Sequence, residues 1–185
     1  MESRTKRLEE AKVIAILRAK DADAAIARVK ELAQWGCRAM EVTVDSQDWQ
    51  RILVELKDAI GSICMLGVGT VYRPETVEEA SKLGAEFALS PINPTLFTDA
   101  CMRVGVVPVP AVTTPNEIDY AMQEGAQIVK LFPAQNWTPK ALNDVKGIGN
   151  FKNVHIIPSG GITPENARSW LENGAFAVGL VSDYL

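Results

Sequence analysis

Histidine is almost missing from this 185-residue chain, with His155 its single example. A metal site or catalytic centre built from several histidines therefore cannot form within one subunit. Cysteine is scarce too. Cys37, Cys64 and Cys101 follow no close-spaced ligand pattern, and an odd count leaves one thiol over in any disulfide scheme, so reduced thiols of a cytoplasmic protein are expected. Basic charge is not in excess: the formal net charge is −4, which gives no electrostatic footprint for nucleic acid. An anionic small molecule remains a possible partner, because it needs only a few placed groups. No apolar run is long enough to cross a bilayer, and the opening MESRTKRLEEAK is a charged helical start, unlike a secretory signal. What is present, 47% hydrophobic and 23% charged residues, is enough to fill a real core. The length fits one domain, residues 1–185.

Apolar, β-branched runs alternate with amphipathic stretches along the whole chain. Strands are predicted at 13–18, 39–44, 63–70, 86–91, 106–111, 127–132, 154–161 and 175–182. Between them, segments such as 22–36 and 48–61 place apolar residues at three- and four-residue steps, as helices packed on a sheet require. RPETVEEASKLGA and TPENARSWLENGA open with proline near the first turn and end at glycine, the usual asymmetry of helix termini. About eight such β-then-α units predict an α/β protein, a compact (β/α)8 TIM barrel. The sequence stops just after the eighth predicted strand, so the expectation is a barrel lacking its final covering helix, through truncation or because another subunit covers that face.

In such a barrel, chemistry gathers at the C-terminal ends of the strands. Arg18, Thr70 and Ser90–Pro91 stand at the ends of the first, third and fourth predicted strands, and Ser159–Gly160–Gly161 at the end of the seventh. Two residues break the apolar pattern more sharply: Glu41 in MEVTV and Lys130 in QIVKLF. Side chains alternate along a strand, so Glu41, Thr43 and Asp45 share one face, and Ile128, Lys130 and Phe132 share one on theirs. If both faces point inward, a carboxylate and an amine meet in an enclosed mouth. Two readings follow. The pair can be a structural ion pair. Alternatively, burial lowers the lysine pKa and frees an amine to form an imine with a ketone, while the carboxylate moves protons. Gly160, Gly161 and the helix predicted near Pro164 could direct N–H groups at an anion, and in barrels a phosphate often sits after strands seven and eight.

Taken in order, EVTV with Glu41, GVGTV with Thr70, SP at Ser90–Pro91, VPAVTTPNE, VKLFPAQ with Lys130 and IPSGGI resemble the 2-keto-3-deoxy-6-phosphogluconate (KDPG) aldolases. That family also includes 4-hydroxy-2-oxoglutarate (KHG) aldolases. The resemblance implies a class I, metal-independent aldolase that cleaves a 2-keto-3-deoxy-6-phospho sugar acid to pyruvate and glyceraldehyde 3-phosphate. It assigns Lys130 as the imine-forming lysine and Glu41 as the general acid/base. No cofactor beyond the covalent imine is implied. Substrate contacts fall to Arg18, Thr70, Pro91, Phe132, Ser159, Gly160, Gly161 and Ser182, and a homotrimer is the usual assembly. Alternatives are 4-hydroxy-2-oxoglutarate cleavage, an isomerase or synthase role, or a silent phosphate-binding homologue. Three departures bear on the substrate. Asp45 replaces an arginine common in the family and cannot hold substrate anions, which leaves Arg18 more of that work. Val181 and Ala111 replace glycines.

Overall fold

The computed structural model describes residues 2–184. The chain begins with helix α1 (Glu2–Ala11), followed by β1 (Val13–Leu17), α2 (Ala22–Gln34), β2 (Ala39–Thr43), α3 (Trp49–Ile60), β3 (Met65–Gly69), α4 (Pro74–Lys82) and β4 (Phe87–Leu89). It continues through α5 (Phe97–Arg103), β5 (Val107–Val109), β6 (Ala111–Val112), α6 (Pro115–Gln123), β7 (Ile128–Leu131), α7 (Pro139–Lys146), β8 (His155–Pro158), α8 (Pro164–Glu172) and β9 (Val178–Val181). All strand pairs are parallel. This is an α/β fold with a curled parallel sheet.

The eight predicted strands appear as nine segments arranged in two ladders. A six-stranded ladder runs β5-β4-β3-β2-β1-β9, and a three-stranded ladder runs β6-β7-β8. The predicted strand 106–111 is divided at Pro110. Proline has no N–H to give to a ladder, so β5 pairs with β4, whereas β6 pairs with β7. The Pro110 carbonyl still accepts from the Lys130 N–H at 2.8 Å. At the other seam, a single bridge joins Ser159 to Gly179. The predicted strand 154–161 ends at Pro158, because Gly160 and Gly161 take left-handed φ values of +84° and +77°. The strand predicted at 175–182 is likewise shorter, and Ser182 starts a 3-10 turn (Ser182–Tyr184).

Alternation along the strands sorts the side chains into two layers. Met40 and Val42 in β2, and Val129 and Leu131 in β7, pack against the helices. Ala39, Met65, Phe87, Val107, Ile128 and Ile157 meet on the concave side of the sheet. Leu8 of α1 is fully buried in that same cluster, so α1 plugs the end where the strands begin. Arg7 of α1 donates to Glu86 at 2.5 Å. The floor is thereby closed, and the strand C-termini form the open mouth. Among the described residues no helix is long and apolar enough to cross a membrane.

Candidate active site

Because Ala39 and Ile128 lie in one cluster on the concave side, their alternation partners Glu41 and Lys130 point the same way. Glu41 is 1% exposed and Lys130 is 6% exposed. The described residues include no direct ion pair between them, so the plain ion-pair reading lacks its contact. Glu41 still feels the lysine. Burial pushes the Glu41 carboxyl above the ordinary carboxylate range, Lys130 and then Arg18 pull it back, and Asp45 adds a further push upward. The Oε2 atom of Glu41 is buried with no hydrogen-bond partner, an unmet demand of the kind found at catalytic sites. The Lys130 Nζ stands 5.0 Å from the centroid of the Phe132 ring. Thr113 fixes that segment by donating its hydroxyl to the Phe132 carbonyl at 2.7 Å.

Space for Glu41 comes from a glycine. The carboxylate lies against the backbone of Gly69, where an added Cβ would stand 1.5 Å from Oε1. One residue on, Thr70 adopts a left-handed φ of 60°, a conformation that costs a non-glycine residue about 1–3 kcal/mol. Its Oγ1 accepts from Arg18 Nη2 at 3.2 Å. Arg18 Nε donates to both carboxylate oxygens of Asp45, at 3.2 and 3.1 Å. Arg18, expected to carry more of the work of holding substrate anions, is thus itself engaged by Asp45. The loop carrying Asp45 is tied down by Ser46, whose hydroxyl lies 3.0 Å from Thr43 Oγ1 and accepts from the Ala19 N–H at 2.9 Å.

Ser159 is buried, and its hydroxyl has no partner. The N–H groups of Gly160 and Gly161 find no acceptor among the described residues. The Ser159 carbonyl accepts from Ala134 N–H at 2.8 Å and the Gly160 carbonyl from Gln135 N–H at 3.1 Å, so the two peptides that carry the Gly160 and Gly161 N–H groups are held while those N–H ends stay open. The Gly161 carbonyl accepts from Asn166 Nδ2 at 2.9 Å. Asn166 also accepts from the Thr163 N–H at 3.0 Å, fixing the start of α8. Oriented N–H groups beside a helix N-terminus suit an anion. Ser182, buried, lines a cavity of about 300 Å³ with Arg18, Lys20 and Arg28. Pro91 and Phe132 line a different one of about 350 Å³.

The chain matches the KDPG and KHG aldolase family over residues 5–184. The chain belongs to that family. It is 30% identical to the 2-dehydro-3-deoxy-6-phosphogalactonate aldolase of Escherichia coli K12 over 171 residues, covering 92% of this chain and 83% of that one. It is 31% identical to the KHG/KDPG aldolase of the same organism over 164 residues, covering 86% and 74%. The solved structure of the KDPG aldolase of Zymomonas mobilis ZM4 with 3-phosphoglycerate superposes with a TM-score of 0.88 at 26% identity, covering 97% of this chain and 85% of that one. Aldolases are lyases, and this KDPG/KHG aldolase family member is an enzyme of that class.

Gly69 and the Asp45–Arg18 contact are the parts of this aldolase site that sequence reasoning missed. The signal for Gly69 was two glycines, Gly67 and Gly69, inside one buried strand, where glycine marks a close approach by another group. Gly69→Ala should keep the helix and strand content, since its φ is ordinary, yet push the Glu41 carboxylate aside. A misplacement of about 1 Å can cost on the order of 10²-fold, and that loss is expected in aldol turnover, checked by kcat with circular dichroism as the fold control. Turnover within a few-fold of the parent would mean Glu41 has room elsewhere.

Proposed function

We propose that this protein is a class I aldolase that reversibly cleaves a 2-keto-3-deoxy-6-phospho sugar acid into pyruvate and glyceraldehyde 3-phosphate. One observation carries the reading: a lysine and a carboxylate, both buried and facing the same concave side, with Glu41 feeling Lys130 but not paired to it. The Lys130 amine attacks the C2 ketone, and the resulting carbinolamine loses water to give a protonated imine. A base then removes the C4 hydroxyl proton, the C3–C4 bond breaks, and its electron pair moves into the iminium to leave an enamine and the free aldehyde. Protonation at C3 and hydrolysis of the imine release pyruvate and restore the amine. Glu41 suits the proton transfers, because burial raises its pKa toward the operating range. No further cofactor or metal takes part in these steps.

The remaining roles belong to the same proposal. It gives Arg18 and Thr70, joined by a hydrogen bond, to the keto acid's carboxylate, and Pro91 and Phe132 to the pyruvyl end. Ser159, Gly160, Gly161 and Ser182 offer donors to the phosphate. We also infer that the two ladders form one closed (β/α)8 barrel, supported by the continuity of β5 and β6 through the single residue Pro110 and by the Ser159–Gly179 bridge. A cytoplasmic homotrimer accords with the family's habit and the three free thiols.

The test is condensation of pyruvate with glyceraldehyde 3-phosphate against unphosphorylated glyceraldehyde. Charge-assisted hydrogen bonds contribute about 1.5–3 kcal/mol each. Two of them, discounted for solvent, should favour the phosphorylated aldehyde by roughly 10²-fold in kcat/KM. Equal values would show that the Gly160–Gly161 turn does not read phosphate, and no condensation with either aldehyde would overturn the aldolase reading.

A further inference from the structure

Resting on the aldolase reading, we propose that Asp45 is a specificity-determining residue that restrains the mouth's attraction for anionic substrate groups by clamping and neutralising Arg18. The geometry is specific. Nε of Arg18 is shared between both oxygens of Asp45, and Nη2 bonds Thr70 Oγ1. A guanidinium has five N–H donors. Two are engaged here, and the three others make no hydrogen bond to the described residues. Arg18 is therefore fixed as a hydrogen-bond donor while its charge is opposed at contact distance.

That opposition acts at working pH. Partial burial pushes the Asp45 carboxyl up, but the neighbouring Thr43 hydroxyl and the Arg18 guanidinium outweigh it and hold the group below the ordinary carboxylate range. Asp45 thus stays ionised. The pair is half-exposed, at 59% for Arg18 and 49% for Asp45, so it is reachable by a ligand entering the mouth. It lies between the two parts of the site. Asp45 and Arg18 both act on Glu41, and Arg18 also lines the cavity that contains Ser182. A phosphate is then recognised mainly through the fixed N–H groups of Gly160 and Gly161, not through a free cation. The chain has given up raw charge attraction at the mouth in favour of directed hydrogen bonds.

The experiment compares the parent, Asp45→Asn and Asp45→Glu. Asparagine keeps one acceptor for Nε but removes the charge; glutamate keeps the charge. Titration calorimetry with inorganic phosphate at low ionic strength should show Asp45→Asn binding about three- to tenfold more tightly than the parent, the scale of one partly screened charge pair. Asp45→Glu should behave as the parent, and the gain should shrink toward nothing at about 1 M salt, where charges are screened within a few ångströms. In kinetics, the preference for glyceraldehyde 3-phosphate over glyceraldehyde should rise in Asp45→Asn by a similar factor. Unchanged or weaker phosphate binding in Asp45→Asn, or an Asp45→Glu variant that matches it, would overturn the proposal, as would no phosphate binding in any of the three. An absence of condensation with both aldehydes would defeat the aldolase reading alone, and the calorimetry would still decide the role of Asp45.

Discussion

Lys130→Met should abolish borohydride trapping of pyruvate and lower aldol turnover by on the order of 10⁴-fold or more, as removal of a covalent nucleophile does. Methionine fills the same apolar slot beside Phe132, so the fold should survive the change. In the parent protein, pyruvate with borohydride should inactivate the enzyme and add a reduced pyruvyl mass to the peptide containing Lys130. The rival is Lys146, half-buried at the end of α7, whose pKa is lowered by burial. Lys146 acts on His155, which also feels Glu9, and it is not among the groups that act on Glu41. An adduct on Lys146, or on any lysine other than 130, would sink the imine mechanism at this site. So would full trapping in Lys130→Met.

The second large effect is expected at Glu41. Glu41→Gln keeps the side-chain shape and removes the titratable group, so turnover should fall by roughly 10²–10⁴-fold, the range for a positioned acid or base, while some pyruvate trapping persists. Stability should move the other way. Burial raises the Glu41 pKa in the folded protein above its value of 4.5 in a free side chain. The protonated form is thus favoured by folding. The stability this group contributes is present below the unfolded pKa and is lost as pH rises through the folded pKa. The variant has no such loss. Its melting temperature, relative to the parent, should therefore climb between acid and neutral pH. A gap that is constant with pH would show that Glu41 titrates normally. A variant turning over within a few-fold of the parent would assign the protons to another group. Such a pairing of lost activity with gained stability is common where a site holds an unsatisfied buried group.

Much of this architecture was legible from residue order. β-branched runs such as VIAIL and AMEVT, broken by helices ending at glycine, announce parallel strands because each run must be buried on both faces. The lysine and glutamate stood out for the same reason: each is costly inside such a run. The division at Pro110 escaped the reading, although VVPVPA contains two prolines, because strand patterning reports burial and says nothing about which neighbour receives each N–H. The Arg18–Asp45–Thr70 contact escaped it for a different reason. Those residues stand at the ends of three strands, and their meeting depends on loop paths and on the left-handed backbone of Thr70. No periodicity encodes that. Reading Asp45 only as a missing arginine hid its direct effect on Arg18.

The close fit of Glu41 against Gly69 also has a historical consequence. Suppose a descendant of this chain lost Glu41 to a smaller residue. Alanine at position 69 would then be free of overlap, and it would be favoured by about 0.5–1 kcal/mol over glycine in a strand interior. Once fixed, that methyl group would exclude a returning glutamate, since it would occupy the space now filled by Oε1. Loss of the carboxylate would become a one-way step. Among related chains, alanine at the position of Gly69 should accompany replacement of the glutamate and mark lineages that have left this chemistry behind.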